Sequence, residues 1–423
     1  MYRRITPYLL LALALSVALA TCAPAPGVVQ AAELASSKPR LSPAGSTDLA
    51  ELVQGNTQFA LDLYRTLFDT KDNLFSSPYS ISLALAMVYA GSRGDTEAEM
   101  ARTLHFPTRE SLQVAFNALD QALRSRGQEV KEGERFQLNI ANAIWGQKGL
   151  AFQSEFLDAL AQYYGAGLRI VDFQQAAEAA RQTINQWVAD QTEDKIKDLL
   201  PPGSLDSLTR LVLTNAIYFN AAWQNPFNAQ ATQDGAFHLL DGSQVSVPMM
   251  HQSASLGYAS GAGYQVVELP YAGGEMAMDI ILPEAGSFAA WVQGLDAQAL
   301  TAILNGITSK QVELTMPRFR FESEVQLKDA LQALGMSQAF TTAADFSGMT
   351  GRPELFIDQV YHKAFVAVDE AGTEAAAATA VVMKLTALPS ESVAVTIDGP
   401  FLFLIRDVAT GTLLFLGHVV NPA

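Results

Sequence analysis

The chain has 423 residues, 49% of them hydrophobic and 17% charged, and its 27 Lys and Arg against 43 Asp and Glu leave a formal net charge of −16. Apolar material on that scale can fill a large core, which excludes a wholly disordered chain. The acidic excess excludes a general binder of nucleic acid or of anionic membranes, since either needs basic surface to displace counterions.

Length alone suggests about two or three domains at ~150 residues each. Residues 1–22 read as an export signal. Arg3 and Arg4 give the positive start, and Tyr8 to Ala20 is an apolar run shorter than the ~20 residues of a membrane span. The single cysteine, Cys22, follows Leu19-Ala20-Thr21, a spacing that resembles a bacterial lipoprotein signal. Thr21 departs from the small residue usual at that place. Two fates therefore stay open: Cys22 as a lipidation site and membrane anchor, or ordinary secretion with cleavage further on, near Ala31-Ala32. Both place the protein outside the cell or in its envelope, and the body has no internal disulfide. Residues 23–45, rich in Ala, Pro, Ser and Gly, read as a flexible linker, so order should begin near Ser46 and the folded body is 46–423.

Phe59, Leu63 and Leu67 recur at helical spacing. Ile81 to Ala90 is apolar all round and predicts a buried helix with Ser80 available as its cap. Thr96 and Glu99 have the spacing of a capping box. Leu112, Phe116, Leu119 and Leu123 mark an amphipathic helix, and Ile184, Trp187 and Val188 another. Strands alternate with these: Phe136, Leu138 and Ile140 show period two, as do Leu211 to Phe219. From Val312 strands dominate, ending in Phe401 to Ile405 and Leu413 to Val420. A helix-rich front half and a strand-rich back half give an α+β fold.

Enzyme signatures are missing. The five histidines (His105, His238, His251, His362, His418) never take the i, i+4 spacing of a helical zinc site, so no metal is expected. No nucleophile elbow, phosphate loop or dinucleotide fingerprint occurs, and no cofactor is expected. Arg93-Gly94-Asp95 reads as a turn between helices rather than an adhesion tripeptide.

The informative segment is Glu370 to Pro400. It begins Glu370-Ala371-Gly372-Thr373-Glu374 and continues Ala375-Ala376-Ala377-Ala378-Thr379-Ala380. Alanines favour helix, yet β-branched residues and a Ser/Pro stretch follow. As a strand, Thr373, Ala375, Ala377 and Thr379 would share one face and fit a crowded interior, while Glu374 would face solvent. Such a segment suits exposure in one state and a central strand in another.

At this point the chain resembles the serpin family of protease inhibitors. The matching blocks stand in order: Asn73-Leu74-Phe75-Ser76-Ser77-Pro78-Tyr79-Ser80-Ile81-Ser82, Tyr89 to Thr96, Thr214-Asn215-Ala216-Ile217-Tyr218-Phe219 with Trp223, Pro226-Phe227, His362-Lys363-Ala364 through Ala376, Pro400-Phe401 and Gly417-His418-Val419. The resemblance covers roughly 370 residues and implies one domain of three β-sheets and about nine helices, with an exposed reactive-centre loop.

It also implies a suicide-substrate inhibitor of extracellular serine proteases. The protease cleaves the loop and forms an acyl-enzyme, and the freed loop enters the large sheet with the protease attached; serpin loop insertion is a standard example of strand addition. The alternative is a non-inhibitory member acting as a binding or substrate-like protein. The resemblance assigns the loop hinge to Glu370, Gly372, Thr373, Glu374, Ala375, Ala376, Ala377 and Ala378. It assigns the polar cluster under the sheet opening to Ser77, Ser80, Asn215 and His362, and the loop's entry region to Trp223, Arg318 and Glu370. The reactive bond falls at Thr386–Ala387 by distance from the loop glycine, with Lys384, Leu385 and Met383 as alternatives. Thr386 suits elastase-like enzymes, Lys384 trypsin-like ones and Leu385 or Met383 chymotrypsin-like ones; subtilisin-like and cysteine proteases remain open as partners. No Lys/Arg cluster resembles a heparin site, so activation by polyanions is not expected, and membrane contact would come only through Cys22.

Overall fold

The structure is a computed structural model that describes residues 31–43, 48–128, 130–131, 134–374 and 392–423. Its α-helices are α1 (Ala50–Leu67), α2 (Pro78–Tyr89), α3 (Gly94–Thr103), α4 (Arg109–Arg124), α5 (Ser154–Ala159), α6 (Phe173–Gln191), α7 (Phe288–Gly294), α8 (Ala297–Asn305), α9 (Lys328–Ala333) and α10 (Ser347–Thr350). The strands are β1 (Ala32–Leu34), β2 (Leu74–Ser76), β3 (Phe136–Gln147), β4 (Leu168–Val171), β5 (Leu211–Ala222), β6 (Gln233–His238), β7 (Gln244–Gly261), β8 (Tyr264–Pro270), β9 (Met276–Pro283), β10 (Thr308–Pro317), β11 (Phe319–Gln326), β12 (Val360–Val368), β13 (Gly372–Thr373), β14 (Val393–Thr396), β15 (Phe401–Asp407) and β16 (Leu413–Val419). Helices predominate before residue 200 and strands after it, as the α+β reading requires.

The large sheet runs β1-β4-β3-β5-β13-β12-β11. A second path runs β14-β10-β7-β8-β9-β15-β16-β2, with β6 on β7. The expected second and third sheets are thus hydrogen-bonded into one. Strand β7 causes this: its 18 residues pair with β6 and β10 toward one end and with β8 at the other.

Helix α2 is apolar on every side because it lies between the sheets, touching β3 and β5 on one flank and β16 on the other; every one of its residues is buried. Its cap is Ser77 rather than Ser80. Ser77 Oγ accepts from the Ser80 amide at 3.2 Å, and Pro78 opens the helix, where its fixed φ fits and its missing N–H is no loss. Thr96 and Glu99 do not form a capping box either, because α3 already begins at Gly94, whose φ of 56° makes the Arg93-Gly94-Asp95 turn. They tie α3 to the chain beyond α9 instead: Thr96 Oγ1 accepts from the Asp345 amide, and the Glu99 carboxylate accepts from the Ser337 and Gln338 amides.

The linker assigned to 23–45 needs correction over its described part, residues 31–43. Ala32, Glu33 and Leu34 pair antiparallel with Ile170, Arg169 and Leu168 and extend the large sheet by a strand. Ser36 and Lys38 both reach Asp158, and the Leu41 amide donates to the Gln162 carbonyl. Composition missed this because three residues added to an existing sheet edge need almost no apolar pattern of their own. Arg40 matters most: its guanidinium lies 2.8 Å from Asp120, a carboxylate whose side chain is 2% exposed and whose other cation is Arg124. A buried carboxylate that loses a partner is strongly destabilised. Arg40→Ala should therefore lower stability by about 2 kcal/mol, less than a full buried pair because Arg124 stays. The urea unfolding midpoint measures this, and Asp120→Asn in the Arg40→Ala background should recover part of the loss.

Candidate functional site

The site lies in the middle of the large sheet, where β5 and β12 meet. Their lower parts pair directly and in parallel, Val360 to Ala364 against Leu213 to Ile217. Above that contact β13 is wedged between them, with Gly372 opposite Ala222, and Thr373 opposite both Ala221 and Val368. The wedge requires glycine. A Cβ on Gly372 would come 2.1 Å from the Ala221 carbonyl oxygen and 2.8 Å from the Ala222 Cα, closer than atoms can pack.

Thr373 is 1% exposed, and its hydroxyl shares a 2.7 Å hydrogen bond with that of Tyr271. Tyr271 stacks on Trp223 with ring centroids 4.6 Å apart. Trp223 holds the approach to the wedge: its indole N–H donates to the Asp369 carbonyl and its amide to the Ala371 carbonyl. The Asp369 carboxylate accepts from the Ala371 and Gly372 amides, which fixes a tight turn; burial raises its pKa against those bonds.

Glu370 is more enclosed than an exposed loop residue would be. Its Oε1 accepts from Thr232 at 2.6 Å and from Arg318 at 2.5 Å, and its side chain is 10% exposed. Burial pushes its pKa up, but the hydrogen bonds from Thr232 and Arg318 outweigh that and hold it below the usual range. The structure thus brings Trp223, Arg318 and Glu370 together. Glu374 departs from expectation. Its side chain does not face open solvent but is 12% exposed, in an ion pair with Lys195.

Beneath the β5–β12 contact lies the polar cluster. Asn215 and His362 are opposite residues of the two strands. The Ser77 amide donates to His362 Nε2 at 3.2 Å, so Nδ1 carries the proton and donates to Asn215 Oδ1 at 2.5 Å. The Asn215 amide nitrogen donates to Ser80 Oγ and to Asn142 Oδ1. Asn142 on β3 returns a bond to the Ser80 carbonyl, and Ser77 Oγ donates to the Leu414 carbonyl. Ser77, Ser80, Asn215 and His362 are all 0% exposed. The four expected residues therefore form one network, and the sequence reading missed its fifth member, Asn142. The available signal was an amide interrupting the apolar run from Ile140 to Trp145.

Among the described residues no group of three or more His, Cys, Asp or Glu could hold a metal ion. Ala375, Ala376, Ala377 and Ala378 of the hinge, the reactive-bond candidates Met383, Lys384, Leu385, Thr386 and Ala387, and Cys22 lie outside the described residues. The loop's described ends are Glu374 and Ser392.

Comparison with known proteins shows the family and fold to which the chain is similar. A family model described as "Serpin (serine protease inhibitor)" matches residues 54–422. An uncharacterised serpin-like protein of Thermococcus kodakarensis is 42% identical over 375 residues, 88% of this chain and 86% of that protein. The leukocyte elastase inhibitor of Homo sapiens is 40% identical over 387 residues, 88% of this chain and 100% of that protein. The crystal structure of the thermophilic serpin tengpin in its native state superposes with a TM-score of 0.82 at 28% identity, covering 93% of this chain and 100% of that one.

Burial lowers the His362 pKa from 6.5 to about 3. A depressed folded-state value means the stabilisation is complete above the unfolded value near 6.5 and drains away as pH falls toward 3. Its total is on the order of 3–5 kcal/mol. His418, buried and lowered to about 4, acts in the same window, so the test compares variants. Across pH 7 to 4, His362→Gln should show a shallower loss of stability in urea unfolding than the natural protein. Equal slopes would remove His362 from the acid response.

Proposed function

Because the chain belongs to the serpin family, we propose that it inhibits extracellular serine proteases by trapping them as acyl-enzymes, at a reactive bond in the segment between Glu374 and Ser392. The observation that carries this reading is the wedge itself: Gly372 and Thr373 already stand as the first two rungs of a strand between β5 and β12. The elastase-inhibitor relatives favour Thr386–Ala387 as the cleaved bond and an elastase-like target. Attack by the protease serine on the Thr386 carbonyl would form an ester there and release the Ala387 amine. The freed strand would then zip down the sheet.

Continuing the register of β13 by alternation gives the inserted strand a definite fit. Positions 375, 377 and 379 would face the main core opposite Phe219, Ile217 and Asn215, the face on which Thr373 already sits. Position 379 would also lie opposite His362. Alanine and threonine are the side chains such a crowded face accepts, and a charge there would be costly. About a dozen new backbone hydrogen bonds at ~1 kcal/mol each, with apolar burial, reach on the order of 10 kcal/mol. That rivals the ~5–15 kcal/mol that holds a typical domain together, enough to distort a captured active site. About fourteen residues at ~3.3 Å carry the protease roughly 45 Å. The reading of residues 1–22 as an export signal supports a reaction outside the cell or at its envelope.

Two experiments test the proposal. Mixing with elastase, trypsin and subtilisin-type enzymes should give a covalent band near the summed masses on a denaturing gel, and the cleaved protein should melt far above the intact one. Cleavage with full surviving protease activity would make the chain a substrate or binding protein. Thr373→Arg, which puts a charge where the Tyr271 hydroxyl is now met, should abolish the covalent band while cleavage continues; undiminished trapping would refute the insertion step.

A further inference from the structure

Lys195 stands on the connection from α6 to β5, and that connection crosses the large sheet at the site. The Glu193 carboxylate is hydrogen-bonded to Gln137 on β3. Two residues on from Lys195, the Lys197 carbonyl accepts from Lys363 Nζ on β12 at 3.3 Å. Residues 193–197 therefore bridge from β3 to β12 over the gap that β13 enters. The bridge is rigidly held. Ile196, Leu199 and Leu200 are all 0% exposed. The Thr192 hydroxyl accepts from the Ile196 amide at 3.2 Å, and Asn185 of α6 makes a reciprocal pair of hydrogen bonds with the Leu200 backbone.

Three residues of the connection that are not glycine, Glu193, Asp194 and Asp198, have φ between 51° and 61°. L residues avoid that region unless the surroundings impose it. This backbone is shaped by its anchors, and Lys195 projects from it toward Glu374, the first residue beyond β13. Glu374 is itself at φ 53°, and its amide donates to the Ala367 carbonyl at 2.6 Å. That bond continues the β12–β13 ladder by one more rung. The carboxylate meets Lys195 inside a cavity of about 740 Å³ on the α6-facing side of the sheet, also lined by Tyr218, Asn220 and Phe365.

We propose that Lys195 is a positioning residue for loop insertion: by pairing with Glu374 it keeps the first rungs docked, so that a cleaved loop enters in a register already set. This rests on the inhibitory reading above and adds the side chain that makes the start of insertion fast. A loop base that must find the gap anew enters later, and trapping is a race between entry and release of the protease. A held side chain on a rigid support is what such positioning needs.

Hydrogen exchange on the intact protein without protease reads the docking directly. In Lys195→Gln the Glu374 amide should exchange roughly five- to thirty-fold faster, the factor that one or two lost ion-pair increments give, and Lys195→Arg should restore the natural rate. With protease, the Gln variant should be consumed in greater molar excess per trapped enzyme, and the Arg variant should not. Unchanged exchange in the Gln variant, or an Arg variant as fast as Gln, would overturn the proposal. If the natural protein traps no protease, the inhibitory reading falls, while the exchange comparison still decides whether Lys195 docks the loop base.

Discussion

The contact on which the structure turns is the short parallel pairing of β5 with β12, five residues on each side. Among the described residues it is one of two parallel pairings in the large sheet, the other being β3 with β4 at the far side. Every other described neighbour of β5 and β12 is antiparallel. Parallel pairing is slightly weaker per residue, and here it joins two strands that would each gain an antiparallel neighbour if a strand entered between them. β13 shows the start of that exchange, antiparallel to both. In the proposed insertion, the weaker parallel pairing at the centre of the sheet is exchanged for two antiparallel ones, beginning from the end of β12.

What keeps the weaker arrangement in place is a polar network rather than packing alone. Asn215 and His362 link the two strands, and Ser80, Asn142 and Ser77 tie them to α2 and β3. Inside a protein such bonds are strong because water does not compete, and the same burial makes any unpaired member costly. His362 illustrates both sides of this. It is held neutral, with one nitrogen donating and the other accepting, and a second proton would break the bond to the Ser77 amide. The cap of α2 belongs to the same network, since Ser77 serves the helix and the imidazole at once.

Much of this was legible in the sequence, and the misses have physical reasons. The all-apolar helix, the glycine of the wedge and four of the five polar-network residues stand in contiguous blocks whose chemistry is unusual enough to read: hydroxyls beside an apolar helix, or an amide inside a strand. Asn142 carries the same signal but belongs to a β3 pattern that begins with ordinary alternation. Lys195 was invisible, because its role comes from a backbone path that crosses the sheet far from Glu374 in sequence, and three left-handed residues outside glycine give no compositional sign. β1 was hidden for the opposite reason, being too short to display a period. Ser80 and the pair Thr96 and Glu99 were misplaced because cap motifs recur by chance, and the true helix starts were set by Pro78 and by Gly94.

The polar character of the network also bears on reversibility of partners. An apolar seam between β5 and β12 would have to be parted at the cost of exposing its faces, and a newcomer would need a matching apolar surface to regain them. A hydrogen-bonded seam can be handed over instead: a small hydroxyl arriving between an amide and an imidazole can donate to one and accept from the other, so that no buried group is left unpaired. Position 379 of an inserted strand, by the register that Gly372 and Thr373 define, falls between Asn215 and His362, and the residue there is threonine. In the proposed insertion the seam would thus be satisfied both before and after the strand enters, so the exchange would leave no buried polar group of the network unpaired.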